Sequence, residues 1–224
     1  MTAADQVQAF ANIPIETRRL RLRRLRESDA EELFAIFSDP KVTRYWGAAT
    51  WTTLEPAREM IATDLSSATR THLRLGVERK ADDRLLGTCT LFNFHEACRR
   101  AEVGYGLGSH AWGRGYMLES LIALLQYGFD VLDLHRVEAD IDPRNQPSGR
   151  ILERLGFQQE GLLRERWIVG DEISDTAFYG LLRREWRPPA LRIDDQARTP
   201  VSRCPLLSSD DPSPSMDGFG KEPP

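Results

Sequence analysis

Residues 102–117, Glu-Val-Gly-Tyr-Gly-Leu-Gly-Ser-His-Ala-Trp-Gly-Arg-Gly-Tyr-Met, run a glycine-interrupted strand into a glycine-rich loop that opens an apolar helix. Behind the loop Leu118, Leu121, Ile122, Leu125 and Phe129 recur at helical spacing, so the loop sits at a helix start. The first turn of a helix leaves its N–H groups without partners, and Gly113 and Gly115 carry no side chain that would keep an anion from them. A tight turn that needs glycine for its own backbone is the competing account. Gly104 and Gly106, inside an otherwise alternating strand, shift the balance, because glycine there marks a bulge or the close approach of another group. The G-x-G-x-x-G dinucleotide fingerprint is absent from this position.

Further pieces follow in a fixed order: Ile15-Glu-Thr-Arg-Arg-Leu-Arg-Leu-Arg23 near the start, Asn145-Gln-Pro-Ser148, and Leu155-Gly-Phe157-Gln-Gln-Glu-Gly161. Together with residues 102–105 and 112–116 they resemble the GNAT acyl-CoA-dependent N-acyltransferases, and among them the RimJ/RimL-like ribosomal-protein N-terminal acetyltransferases. The likeness spans roughly 170 residues, enough for one domain. It implies an α/β fold with a mixed, mostly antiparallel central sheet, splayed between its fourth and fifth strands, and helices on both faces.

The resemblance also implies a site. Its pyrophosphate motif, Gln/Arg-x-x-Gly-x-Gly/Ala, falls on Trp112, Gly113, Arg114, Gly115, Tyr116 and Met117. Trp112 is usual in this branch; Met117 departs from the small residue expected and would add bulk beside the phosphates. The pantetheine arm of acetyl-CoA would pair with the backbone of Tyr105, Gly106 and Leu107, with residues 136–141 on the far side of the splay, and an N–H near Leu107 would polarise the thioester. Asn145 would contact the same arm and Ser148 would protonate the leaving thiolate, although both are also good helix caps, with Pro147 in the first turn. Glu102 matches the acid that relays the amine's proton; an ordinary strand carboxylate is its other reading. Tyr45, Trp46 and Phe94 would shape the acceptor pocket, at least one of the tryptophans in this region being core. His110 reads as a loop or phosphate-side residue rather than a base.

The implied activity is transfer of an acetyl group from acetyl-CoA to a primary amine in a ternary complex, the acceptor being a protein N-terminus. An α-amino group titrates near 7.7–8.0 and a lysine near about 10.4, so a terminal amine is partly neutral where a lysine is not. Two alternatives share the coenzyme residues: acetylation of an amino sugar, polyamine or antibiotic, and an acyl-CoA-binding module without catalysis.

The 224 residues, 41% of them hydrophobic, supply one sizeable core. A formal net charge of −4 provides no field for nucleic acid or membrane. The local run Arg18, Arg19, Arg21, Arg23, Arg24 and Arg26 alternates with leucines and reads as the solvated face of a strand. Cys89, Cys98 and Cys204 lack metal-like spacing, and Cys89 and Cys98 read as free buried thiols rather than nucleophiles; with no signal-like or spanning segment, the expectations are no metal, no membrane and a cytoplasmic monomer or homodimer. Three segments are expected: a short extension over 1–14, the domain over 15–187, and a disordered Pro/Ser/Asp-rich tail over 188–224.

The coarse order of elements is a helix from the Ser28–Glu31 capping box through Phe37, ended by Asp39-Pro40, then a second after Thr52 or Thr53. Strands follow over 73–79 and 85–94, and later over 136–141. A short helix ends at Gly156, and a last hairpin turns at Gly170-Asp171.

Overall fold

The structure, a computed structural model, describes residues 13–66 and 72–191. The extension over 1–14 lies almost wholly outside these, and so does the tail from residue 192 onward, Cys204 included. Eight strands form one sheet: β1 (Ile15–Glu16), β2 (Leu20–Arg23), β3 (His72–Arg79), β4 (Arg84–His95), β5 (Arg100–Leu107), β6 (Arg136–Ile141), β7 (Gln158–Val169) and β8 (Glu172–Leu182). Their spatial order is β1-β2-β3-β4-β5-β6-β8-β7. Among the described residues only β5 and β6 run parallel, and the other pairings are antiparallel. The helices are α1 (Ala30–Phe37), α2 (Pro40–Thr43), α3 (Glu55–Ser66), α4 (Tyr116–Asp130) and α5 (Gln146–Arg154).

Strand alternation sends side chains to two cores. Leu73, Leu75 and Val77 of β3 join Leu118, Leu121, Leu124 and Leu125 of α4 in the larger cluster. On the opposite face Leu25 and Leu85 pack with Leu33, Ile36 and Phe37 of α1 and with Ala57 and Ile61 of α3. Helices therefore cover both faces, as the resemblance implied.

Two local readings change. The expected opening strand is a hairpin: Ile15 pairs with Leu22, and the Thr17 N–H donates to Leu20 C=O at 2.9 Å across the turn between β1 and β2. The first helix is entered through a turn at Glu27–Asp29, where Asp29, not Ser28, is the acceptor; its carboxylate takes the Arg26 N–H at 2.8 Å. Asp39-Pro40 does end α1, and Asp39 then caps α2 by accepting the Lys41 N–H at 2.9 Å.

The arginine run is not one solvated face. Arg23 is only 6% exposed, donates to both Asp29 oxygens at 2.7 and 2.9 Å and pairs with Glu78, itself 1% exposed. Arg21 also reaches Glu78, at 2.7 Å. A buried cation persists where carboxylates surround it, and period two alone cannot reveal such partners. Burial pushes the Glu78 carboxyl up, but its hydrogen bonds from Arg23 and Arg21 outweigh that and hold it below the ordinary 4.5. A depressed folded-state pKa means stability present at neutral pH and lost as pH falls through it. Denaturant midpoints measured across acid pH should fall below about 4.5, and Glu78→Gln should flatten that dependence.

Candidate active site

β5 and β6 pair over only three residues, Arg100–Glu102 against Arg136–Glu138. Beyond that point they part, so the splay falls between the fifth and sixth strands rather than the fourth and fifth, because the opening segment contributes two strands instead of one. β5 stays bonded to β4 on its other edge as far as Leu107, and β6 to β8 as far as Ile141, so the separation opens inside the sheet rather than at its rim. Main-chain N–H and C=O groups of residues 103–107 on the inner edge consequently face a wedge with no strand partner among the described residues. A cavity of about 540 Å³ occupies it, walled by Val103, Gly104 and Tyr105 from β5, Asp140 and Ile141 from β6, Asn145 and Ser148 from the start of α5, and Tyr45, Trp46 and Gly47 from the loop after α2.

The glycine loop stands where β5 ends. Gly113 and Gly115 have φ of 74° and 72°, the left-handed region that other residues enter at a cost. A Cβ at Gly113 would meet nothing within 4 Å. α4 starts at Tyr116, and its first intrahelical bond runs from Glu119 N–H to Gly115 C=O at 3.1 Å. Helix geometry leaves the preceding N–H groups, those of Tyr116 to Leu118, pointing out of the helix end. Met117 is 5% exposed and belongs to the larger core, so its bulk lies under the helix instead of beside the loop. The Trp112 indole N–H donates to Leu107 C=O at 2.7 Å and ties the loop to the strand. Arg79, Arg84 and Arg114 lie close enough to His110 to add, after burial, to a lowering of its pKa; His110 is thus held neutral in a positive neighbourhood.

Ser148 is buried, with its Oγ 2.7 Å from the Tyr105 hydroxyl. Burial pushes the Tyr105 hydroxyl up to about 12, against the opposing pull of its Ser148 bond, so it stays protonated. Asn145 caps α5 by accepting the Ser148 N–H at 3.3 Å and also lines the cavity. Capping and facing the wedge coexist there. Glu102 is not among the residues that line the cavity; it accepts from the cavity-lining Asn93 Nδ2 at 3.2 Å.

Tyr45 and Trp46 line the cavity, with Trp46 packed 4.7 Å from Phe37. Phe94 does not. It packs against the larger core, while Phe92 takes the cavity wall. Asn93 at φ 50° and the register shift between Phe92 and His95 reverse the alternation at that point. Gly106 and Gly104 owe their absent side chains to aromatic rings of the chain itself: a Cβ at Gly106 would come within 2.7 Å of Trp46 and 3.0 Å of Phe37, and one at Gly104 within 3.2 Å of Phe92. Gly106→Ala should therefore displace Trp46 and destabilise the fold by about 1–3 kcal/mol, as overpacking does; a thermal or denaturant melt against the unaltered chain checks this.

Sequence reasoning missed His72 and Arg74, which line the cavity and share Asp64 Oδ1 at 2.7 and 2.6 Å, and Asp140 across from them. Their period-two spacing on β3 and β6 was the available signal. Arg99 and Arg100 pair with Asp133 and Glu138 within the chain. Cys89 is buried, which lifts its thiol to about 12, whereas Cys98, expected to be buried, is exposed in the turn before β5. Among the described residues no helix is long and apolar enough to cross a membrane, and no group of three His, Cys, Asp or Glu could hold a metal.

The GNAT acetyltransferase domain family matches residues 19–158, a span that takes in the wedge and the glycine loop. This chain belongs to the GNAT acetyltransferases. An uncharacterized N-acetyltransferase of Bacillus licheniformis is 38% identical to it over 172 residues, 76% of this chain and 96% of that one. The ribosomal protein uS5 alanine N-acetyltransferase of Escherichia coli is 33% identical over 86 residues, 38% of this chain and 44% of that one. In fold, a spermidine N-acetyltransferase of Vibrio cholerae, solved with CoA and spermine, matches with a TM-score of 0.68 at 21% identity, over 75% of this chain and 98% of that one. GNAT acetyltransferases bind acetyl-CoA and an amine acceptor, and the residues here fit such a coenzyme: outward N–H groups and open space at Gly113 for a diphosphate, and an unpaired strand edge for an amide-rich arm.

Proposed function

We propose that this GNAT acetyltransferase acetylates protein N-terminal amines, using residues 112–117 for the diphosphate and the β5–β6 wedge for the acetyl-bearing arm. The parting of β5 and β6 immediately after Glu102 carries the reading, because it leaves strand-like backbone inside the fold beside a cavity open to a second substrate. Acetyl-CoA supplies an activated acetyl group as a thioester. Main-chain groups of Tyr105–Leu107 orient the arm, and an N–H of this segment donates to the carbonyl oxygen as negative charge grows there. Tyr45, Trp46 and Phe92 hold the amine at the acyl carbon, so proximity supplies much of the acceleration. As the N–C bond forms and the C–S bond breaks, Glu102 takes the amine's proton through solvent and Ser148 Oγ gives one to the departing sulfur, with Tyr105 fixing the serine hydroxyl; solvent then carries the proton from Glu102 back to Ser148, so one proton passes in net from nitrogen to sulfur.

A terminal α-amine, titrating near 7.7–8.0, suits so mild a base, and the name of the Escherichia coli relative supports the same class of acceptor. CoA release should be measured with N-terminal peptides, lysine-bearing peptides with blocked termini, and polyamines. Turnover with unblocked peptides above the other amines supports the proposal. Preferential turnover of polyamines reassigns the acceptor, and binding without turnover leaves a coenzyme-binding module.

A further inference from the structure

The turn between β1 and β2 brings one arginine onto the coenzyme loop. Arg19 Nη1 donates to Arg114 C=O at 2.9 Å, and its guanidinium lies 4.5 Å from the centre of the Tyr116 ring. Its Nη2 stands 3.6 Å from where a Cβ on Gly115 would be. Three successive residues of the loop are thus touched by a single side chain. That side chain is fixed from behind by Glu119, 1% exposed in the first turn of α4. Glu119 accepts Arg19 Nε at 2.7 Å, the Arg19 N–H at 2.9 Å and Thr17 Oγ1 at 2.7 Å. A buried carboxylate with three donors and a planar guanidinium with a fixed fork define one geometry between them.

We infer that Arg19, clamped by Glu119, is a positioning residue for acetyl-CoA: it holds residues 114–116 in the left-handed and helix-start conformations that aim the N–H groups of α4 at the diphosphate. The inference rests on the proposal that residues 112–117 are the diphosphate site. Its physical content is preorganisation. Two glycines make a loop that samples many conformations when unrestrained, and binding must then bear the cost of ordering it. The clamp has already ordered it in the free protein. Its contribution belongs to coenzyme affinity, and the chemistry of the transfer, performed at the other end of the wedge, does not need it.

Steady-state kinetics and thermal melts of Arg19→Met, Arg19→Lys and Glu119→Gln test this, with Gly115→Glu as the control for the site itself. Releasing one or two loop residues should raise the KM for acetyl-CoA about tenfold or more, with kcat and the amine KM within twofold. Arg19→Lys should not rescue, since an ammonium cannot bond Glu119 and Arg114 in the fork's geometry. If the Arg19 variants lower the melting temperature but leave the acetyl-CoA KM unchanged while Gly115→Glu abolishes binding, the clamp is merely structural and the inference fails alone. If Gly115→Glu also binds normally, the diphosphate site itself is wrong. The change at half-buried Arg19 is the primary test, because Glu119→Gln alters a fully buried group and can fail to fold.

Discussion

Gly115→Glu removes measurable acetyl-CoA binding in a calorimetric titration while the protein remains folded. The residue is the N-cap of α4 at φ 72°, where any side chain adds about 1–2 kcal/mol of backbone strain. Strain alone would weaken binding about tenfold. The carboxylate adds a larger effect, because it stands at the helix end whose N–H groups and dipole favour an anion, and it places like charge against the diphosphate. Like-charge juxtaposition costs several kcal/mol, so the combined loss should exceed about 100-fold. Gly113→Ala is the graded comparison: with nothing within 4 Å of its Cβ position it adds strain without obstruction, and about tenfold is the whole expected effect.

Ser148→Ala should lower kcat about 100-fold and leave acetyl-CoA affinity within twofold. The cap of α5 survives, since it uses the Ser148 backbone N–H and the Asn145 side chain. What disappears is a buried hydroxyl on the cavity wall, held by the Tyr105 hydroxyl at 2.7 Å. Removing a proton donor that acts only as the thiolate forms affects turnover rather than ground-state binding. Tyr105→Phe should produce a smaller fall, because it frees the serine rotamer without deleting the donor. Pre-steady-state acetyl transfer and a separate binding titration resolve the two quantities; equal losses of both in Ser148→Ala would assign Ser148 to binding.

The loop was legible because two of its signals are local and independent: glycines that must take positive φ and an apolar helical period that begins right behind them. β6 was legible for a similar reason, and its ends fall at Arg136 and Ile141 as read. The closing hairpin turns at Gly170, at φ 59°. What failed depended on geometry that composition does not encode. Nothing in the alternation of residues 15–23 announces the turn at Thr17, so Arg19 looked like a solvated strand residue and its clamp on the loop went unseen. The left-handed Asn93 exchanges Phe94 for Phe92 on the cavity wall, a switch set by a bulge in the pairing with β5. Gly104 and Gly106 pointed to a close approach, but the approaching groups are the chain's own rings. The burial of Arg23 depends on Asp29 and Glu78, one of them 55 residues away in sequence.

Backbone hydrogen exchange, followed by mass spectrometry with and without CoA, tests the central claim most directly. The account predicts that saturating CoA protects two separate segments, 103–107 on the inner edge of β5 and 116–118 at the start of α4, while the outer strands β1 and β7 are unchanged. Protection confined to other segments, with exchange at both of these unaltered, would contradict it.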